Sequence, residues 1–155
     1  MMSNYTREDL LSKTATINQL RNCVYHFIKF MQSNNVKDIK NRLRKMGTNI
    51  AKTEIPLYKI RSNDPISLLR LIYSQIMNSK VEINKEGDNL YIVEDTKCPL
   101  CKYNREDISD APDEIIVGMV QEFLKDNGFK VKNFGVKDSR SLGAVTCVHF
   151  YEFTK

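Results

Sequence analysis

The residues of this chain whose types and spacing could do chemistry are its cysteines. Cys98 and Cys101 form a Cys-x-x-Cys turn stiffened by Pro99, and two thiolates on one turn are half of a common zinc site. Cys147 and His149 lie two residues apart on a segment with strand-like alternation, so both side chains point to the same side of a sheet. The sequence therefore predicts a structural zinc site with four ligands: Cys98, Cys101, Cys147 and His149.

Each part of this cluster also has a plainer interpretation. The 45 residues between Cys101 and Cys147 do not match a zinc finger, so the site depends on a fold that brings loop and strand together. A lone cysteine in a strand is usually a small buried hydrophobe, and His149 could simply be hydrogen-bonded beside Tyr151. Cys23 lies on the apolar stripe of a predicted helix; we expect it to pack in the core, and it remains an alternative fourth ligand.

Redox and catalytic chemistry have less support in the sequence. Thioredoxin-like chemistry needs a Cys-x-x-Cys turn close to a helix N-terminus, whereas residues 103–111 intervene here before the next predicted helix. The glycines are isolated and there are only 2 histidines, so no phosphate-cradling loop or nucleophile–base arrangement can be singled out. We expect a protein that is not an enzyme.

Composition and charge exclude several other classes. With 155 residues, 41% hydrophobic and 28% charged, the chain predicts one globular domain with a single core. Its longest apolar run, residues 115–120, is far short of the roughly 20 residues that cross a bilayer. No secretory signal is visible, so we expect a cytoplasmic protein with reduced thiols. The net charge of +5 is uneven: residues 1–80 carry 14 cations and 5 anions (+9), and residues 81–155 carry 10 and 14 (−4).

The periodicity of apolar residues predicts the elements that must position the cysteines. Helical spacing predicts three helices in the N-terminal part, 6–77: the first from a capping box at Thr6 to about residue 31, the second over 36–51, and the third from Asp64-Pro65 onward. Residues 52–62, which contain Pro56, are predicted to be a connector. The second part, 80–153, is predicted to hold a hairpin (80–84 and 89–93), a helix (112–126) and two strands (129–134 and 144–153). This order predicts a single α+β domain over 1–155, with an antiparallel sheet packed against helices.

Several short motifs resemble those of one known family. Cys-Pro-Leu-Cys is followed by the glycine-containing helix 116–124, then Gly-Phe-Lys-Val at 128–131 and the strand 143–150. This order resembles the 4-vinyl reductase domain family. The segment 43–50, Leu-Arg-Lys-Met-Gly-Thr-Asn-Ile, is similar to a glycine-bearing helix of that family and of the related TRAPP vesicle-transport subunits.

The resemblance implies a compact, often dimeric α+β domain that holds a small apolar molecule. In aromatic-sensing bacterial activators this domain binds zinc through three cysteines and a glutamate. Cys98 or Cys101 matches the cysteine before the helix, and Cys147 matches the one on the final strand. Asn133 and Val136 stand where the remaining glutamate and cysteine are expected, so the second thiol of the turn and either His149 or Cys23 would have to replace them. The expected ligand pocket draws on apolar residues that could equally be plain core: Tyr91, Ile116, Met119, Val120 and Phe123.

Two other classes fit parts of the sequence. Three helices and a hairpin over residues 6–94, with the basic excess, also describe a winged-helix DNA-binding domain. Its third helix, however, offers only Arg70 as a cation before its last residues, and the basic run 37–45 is typical of a solvated helix face. The TRAPP-like similarity favours a scaffold that dimerises through apolar faces. The sequence thus predicts a zinc-containing sensor of a small apolar molecule, a homodimer, with a dimeric scaffold or a nucleic-acid-binding regulator as alternatives.

Overall fold

The computed structural model describes residues 7–154, and side chains from residue 17 onward. Thr6, where the first helix is predicted to begin, lies outside the described residues. The helices are α1 (Arg7–Ser33), α2 (Ile39–Tyr58), α3 (Pro65–Gln75) and α4 (Glu114–Asp126). The strands are β1 (Val81–Glu86), β2 (Leu90–Asp95), β3 (Val131–Asp138) and β4 (Cys147–Phe153), and a short 3-10 helix, Arg140–Leu142, connects the last two. The predicted α+β fold class is confirmed.

The four strands form one antiparallel sheet in the order β1-β2-β4-β3. β4 therefore lies inside the sheet, with His149 opposite Val93 of β2 on one side and opposite Val136 of β3 on the other. Every second residue of β4 is buried, beginning with Cys147. The predicted common side for Cys147 and His149 is confirmed, and it faces the core.

The predicted hairpin belongs to this sheet and not to a separate module. β2 pairs with β1 along one edge and with β4 along the other, so residues from both halves of the chain share one sheet and one core. A winged-helix domain over residues 6–94 would end at β2, whose second edge is covered here by β4. The winged-helix interpretation of the fold is therefore wrong.

The second helix is longer than predicted. It begins at Ile39 and continues through Pro56 to Tyr58, whereas the sequence predicts a helix over 36–51 and a connector over 52–62. A proline inside a helix removes one backbone hydrogen bond. Burial of Ala51 and partial burial of Ile55 against the core offset that loss, and the helix ends where Lys59 takes a left-handed φ of 51° and donates its N–H to the Ile55 carbonyl.

Helices α2 and α4 cross in direct backbone contact. A Cβ atom on Gly47 would lie 1.9 Å from the Ile115 carbonyl oxygen, and one on Gly118 would lie 2.1 Å from the Arg44 carbonyl oxygen. Next to this crossing, the Arg44 Nε atom is 2.6 Å from the buried Glu114 carboxylate. α4 is thus buried on nearly all sides, and its first residue is fixed in place.

Candidate metal centre

Four buried side chains converge where the β2–α4 loop meets the sheet. Their ligand atoms, three sulfurs and one carboxylate oxygen, all lie within 4.8 Å of one another. Cys98 and Cys101 come from the loop, Cys147 begins β4, and Asp113 immediately precedes α4. We call this group the thiol–aspartate cluster. The structure thus brings together the three cysteines that the sequence predicts, and it adds Asp113.

Three hydrogen bonds, each involving one backbone group, position the chain around the cysteines of the cluster. Asp95, which pairs with Cys147 across β2 and β4, accepts a 2.9 Å hydrogen bond from the Lys97 N–H through Oδ1. Arg21 of α1 donates from Nε to the Pro99 carbonyl at 2.6 Å, inside the Cys-x-x-Cys turn. The Arg140 N–H lies 3.5 Å from the Cys147 sulfur and donates to it. The turn and the strand are therefore both positioned by groups outside the cluster.

Asp113 is the member of the cluster with the most hydrogen bonds. Its Oδ1 atom accepts from the Ser139 hydroxyl at 2.7 Å and from the Cys101 thiol at 3.3 Å. Its Oδ2 atom is 2.9 Å from His149 Nε2. Asp113 was not predicted as a ligand. Its position directly before a helix suggests a capping role, and only the fold shows that it faces the thiols.

The structure places His149 beside the cluster. Both of its ring nitrogens are engaged: Nε2 contacts Asp113, and Nδ1 is 2.6 Å from the hydroxyl of Tyr73 on α3. The Tyr73 hydroxyl is in turn 2.8 Å from that of Tyr151. The side chains of His149, Tyr73 and Tyr151 are fully buried. His149 as a direct ligand stays a prediction, and the observed contacts connect it to the cluster through Asp113.

Burial and mutual contact shift the protonation of the cluster. The neighbouring Cys147 and Cys98 thiols donate to the Cys101 sulfur and hold the pKa of Cys101 well below its usual range. The contact with Cys101 in turn raises the pKa of Cys98 and of Cys147. Burial raises the pKa of Asp113.

The donor set matches what a tetrahedral zinc ion requires. Bond lengths of about 2.3 Å to sulfur and about 2.0 Å to oxygen place a sulfur and an oxygen ligand about 3.5 Å apart. The observed distance between Cys101 Sγ and Asp113 Oδ1 is 3.3 Å. A divalent ion would also compensate the charge of buried thiolates, which is costly to leave unpaired. The cluster could therefore hold a metal ion.

The other predicted site residues lie elsewhere. Cys23 is exposed on α1, so the expectation that it packs in the core is wrong, and it does not belong to the cluster. The residues predicted to line a ligand pocket are all buried in the main core, each at most 8% exposed: Tyr91, Ile116, Met119, Val120 and Phe123. Their role in ligand binding stays a prediction.

Two surface features flank the helices. The first, which we call the helical face, is an apolar groove of about 720 Å³ between α1 and α2, lined by Phe27, Met31, Met46 and Ile50 and bordered by Arg42 and Lys45. The second, which we call the Cys98 groove, is about 660 Å³ and lies between α1 and the Cys-x-x-Cys turn, with an apolar lining of Ile17, Leu20, Met77 and Leu100. In the described residues, no helix is long and apolar enough to span a membrane.

Fold and cluster together define an α+β domain in which an interior strand and the start of a buried helix assemble three thiols and a carboxylate. Among solved structures, the fold is similar to trafficking protein particle complex subunit 3 from Naegleria fowleri, covalently bound to palmitic acid. The TM-score is 0.75 at 13% identity, and the match covers 92% of this chain and 97% of that one. No protein-family model and no curated protein sequence matches the chain. The TRAPP-related part of the resemblance is thus supported at the level of fold, and the 4-vinyl reductase part stays a prediction.

Proposed function

We propose that this chain is a non-catalytic assembly domain of TRAPP-subunit fold, in which a structural zinc ion fixes the β2–α4 loop to the sheet. The thiol–aspartate cluster is the observation that carries the zinc site, with Cys98, Cys101, Cys147 and Asp113 as ligands. Zinc would hold the loop at both of its ends, since Cys98 and Cys101 lie near its start and Asp113 at its end. Its role is to stabilise the fold, because all four side chains are buried and offer no open position to a substrate.

Zinc content and stability test the metal site. We expect the protein as purified to hold about one equivalent of zinc, and a chelator to lower its melting temperature, because metal binding contributes to folding free energy. Cys147→Ser should lose the zinc and the stability, whereas Cys23→Ser, a change of the exposed cysteine, should retain both. Elemental analysis and native mass spectrometry measure this. Less than about 0.3 equivalents of zinc, with no effect of Cys147→Ser, would contradict the site.

The assembly role rests on the fold and on the helical face. Of the side chains that line this face, Phe27 of α1 is 45% exposed and Ile50 of α2 is 36% exposed. Large apolar side chains grouped on one surface are typical of protein–protein interfaces. A second copy of the chain is the occupant that we propose. The homodimer predicted from the sequence would then form through α1 and α2.

Oligomeric state tests the dimer. We expect light scattering to give twice the 18.0 kDa chain mass at micromolar concentration. Phe27→Glu should shift the protein to monomer, because a charge in an apolar interface cannot be solvated. Val145→Glu is the control. Val145 is 89% exposed, precedes β4 and does not line the helical face, so its change should leave the dimer intact. A wild-type monomer would contradict this part of the proposal.

A second candidate function is the binding of a small apolar molecule. The Cys98 groove supports it, because the groove has an apolar lining and a wall formed by the Cys-x-x-Cys turn. The structural neighbour from Naegleria is covalently bound to palmitic acid, which supports a hydrocarbon ligand as the candidate. Native mass spectrometry separates the two candidates. A dimer without a bound small molecule favours the assembly domain, and a copurifying apolar molecule favours the sensor.

A further inference from the structure

A chain of four buried polar side chains leads from the sheet to the cluster. The Tyr151 and Tyr73 hydroxyls are 2.8 Å apart, Tyr73 is 2.6 Å from His149 Nδ1, and His149 Nε2 is 2.9 Å from Asp113 Oδ2. All four side chains have no solvent exposure. Buried polar groups are costly unless they are satisfied, so an uninterrupted chain of this kind specifies one arrangement of its members.

Asp113, at the end of this hydrogen-bonded series of side chains, determines which group donates and which accepts in each bond. A carboxylate that binds a metal ion is deprotonated and can only accept, so His149 donates from Nε2 to Asp113 Oδ2. In a neutral imidazole the other nitrogen is then an acceptor, and Nδ1 accepts the Tyr73 hydroxyl proton. The Tyr73 oxygen in turn accepts from Tyr151. Burial raises the pKa of both tyrosines, so both remain protonated donors. One tautomer of His149 is therefore selected.

This arrangement leaves Asp113 with one oxygen for a metal. Oδ2 is occupied by His149, whereas Oδ1 faces the Cys101 sulfur at 3.3 Å and is steadied by the Ser139 hydroxyl at 2.7 Å. A carboxylate that can offer only one oxygen favours a four-coordinate centre over the higher coordination numbers of calcium.

We propose that His149, oriented by Tyr73, is a positioning residue that presents Asp113 as a one-oxygen ligand and so selects a tetrahedral metal such as zinc. The proposal rests on the zinc site proposed above. It gives His149 a role different from that of the direct ligand predicted from the sequence. Partners behind a metal ligand typically change metal affinity 10–100-fold when they are removed.

Cobalt-substituted protein tests this assignment, because Co²⁺ reports both its geometry and its sulfur ligands in the visible and near-ultraviolet spectrum. For His149→Phe we expect about 10–100-fold weaker metal binding in competition with a chelator. Its tetrahedral d–d bands should be weaker, while the thiolate charge-transfer bands of the three cysteines remain. His149→Gln keeps a donor toward Asp113 and should recover most of the affinity and spectrum. Tyr73→Phe should weaken binding less than His149→Phe, and Tyr58→Phe, which removes an exposed hydroxyl at the end of α2, should have no effect.

Three outcomes would overturn the proposal. Unchanged affinity and spectrum in His149→Phe would show that His149 does not position a ligand. An unchanged spectrum in Asp113→Asn, together with loss of the d–d bands in both His149 variants, would show that His149 is itself the fourth ligand. Wild-type protein that binds neither cobalt nor zinc would overturn this proposal together with the proposed zinc site. The first outcome leaves that site unchanged, and the second replaces only its fourth ligand.

Discussion

Asp95 is a buried carboxyl beside the thiol–aspartate cluster. Its side chain has no solvent exposure, and its Oδ1 atom accepts from the Lys97 N–H, whereas Oδ2 has no hydrogen-bond partner among the described residues. Burial raises the pKa of this carboxyl. The folded state therefore holds a proton at pH values where the unfolded chain has lost it, and stability falls as pH rises through that window.

Asp95→Asn should consequently stabilise the protein at neutral pH. The amide keeps an acceptor for the Lys97 N–H and removes the charge. We expect the melting temperature to rise by about 2–4 °C at pH 7, as for about 1 kcal/mol in a domain of this size, with the difference vanishing below the ordinary carboxyl pKa. Thermal melts of both proteins across pH measure it. The exposed Asp138→Asn is the control, and an Asp95→Asn variant less stable than wild type at pH 7 would contradict the expectation.

The residues of the candidate site were partly predictable from the sequence. The Cys-x-x-Cys spacing and the two-residue spacing of Cys147 and His149 identify chemistry and orientation, because both are local properties of a turn and a strand. Asp113 could not be identified in this way. Its contact with Cys101 depends on how the start of α4 lies against the loop, and that is a tertiary arrangement 12 positions along the chain.

At the scale of elements, the crossing of α2 and α4 is the tightest constraint. Gly47 and Gly118 each face a backbone carbonyl oxygen of the opposite helix, at distances that leave no room for a methyl group. In an exposed helix, replacing glycine with alanine is stabilising by about 1 kcal/mol. Here the contact partner is backbone and cannot rotate away, so steric repulsion outweighs the gain in helix propensity.

Gly47→Ala should therefore destabilise the protein by about 3 kcal/mol or more, in the upper range for overpacked cores. Urea denaturation measures the change in unfolding free energy. Asn49→Ala lies two residues away on the same helix, at an exposed position, and should be neutral or slightly stabilising. If Gly47→Ala were as stable as Asn49→Ala, the two helices could not lie as close as described.

The lengths of elements were less predictable than their order. Pro56 suggests that α2 ends early, yet the helix continues to Tyr58. The cost of a proline is local and visible in a sequence, whereas the compensating burial of Ala51 depends on what packs against it. β4 shows the opposite case: its strict alternation specifies which face is buried, because a one-residue shift would expose every core side chain.

At the scale of the whole molecule, the sheet order makes the two halves of the chain interdependent. β2 is an interior strand whose second edge is covered only by β4. We expect a fragment of residues 1–95 to be largely unfolded, because it would expose that edge and the buried face of the sheet. Circular dichroism and amide-resolved NMR measure this, with the full chain as control. A cooperatively folding fragment would contradict the single-domain arrangement.

The interior position of β4 links the completeness of the proposed zinc site to the closure of the sheet. Unless β4 lies between β2 and β3, the thiol–aspartate cluster lacks Cys147, which belongs to the strand itself. High-affinity binding at the proposed zinc site would therefore require β4 to be in place. Once bound, the ion would oppose the withdrawal of β4, so we expect it to slow unfolding more than it speeds folding. The proposed site would therefore form last during folding and break first during unfolding.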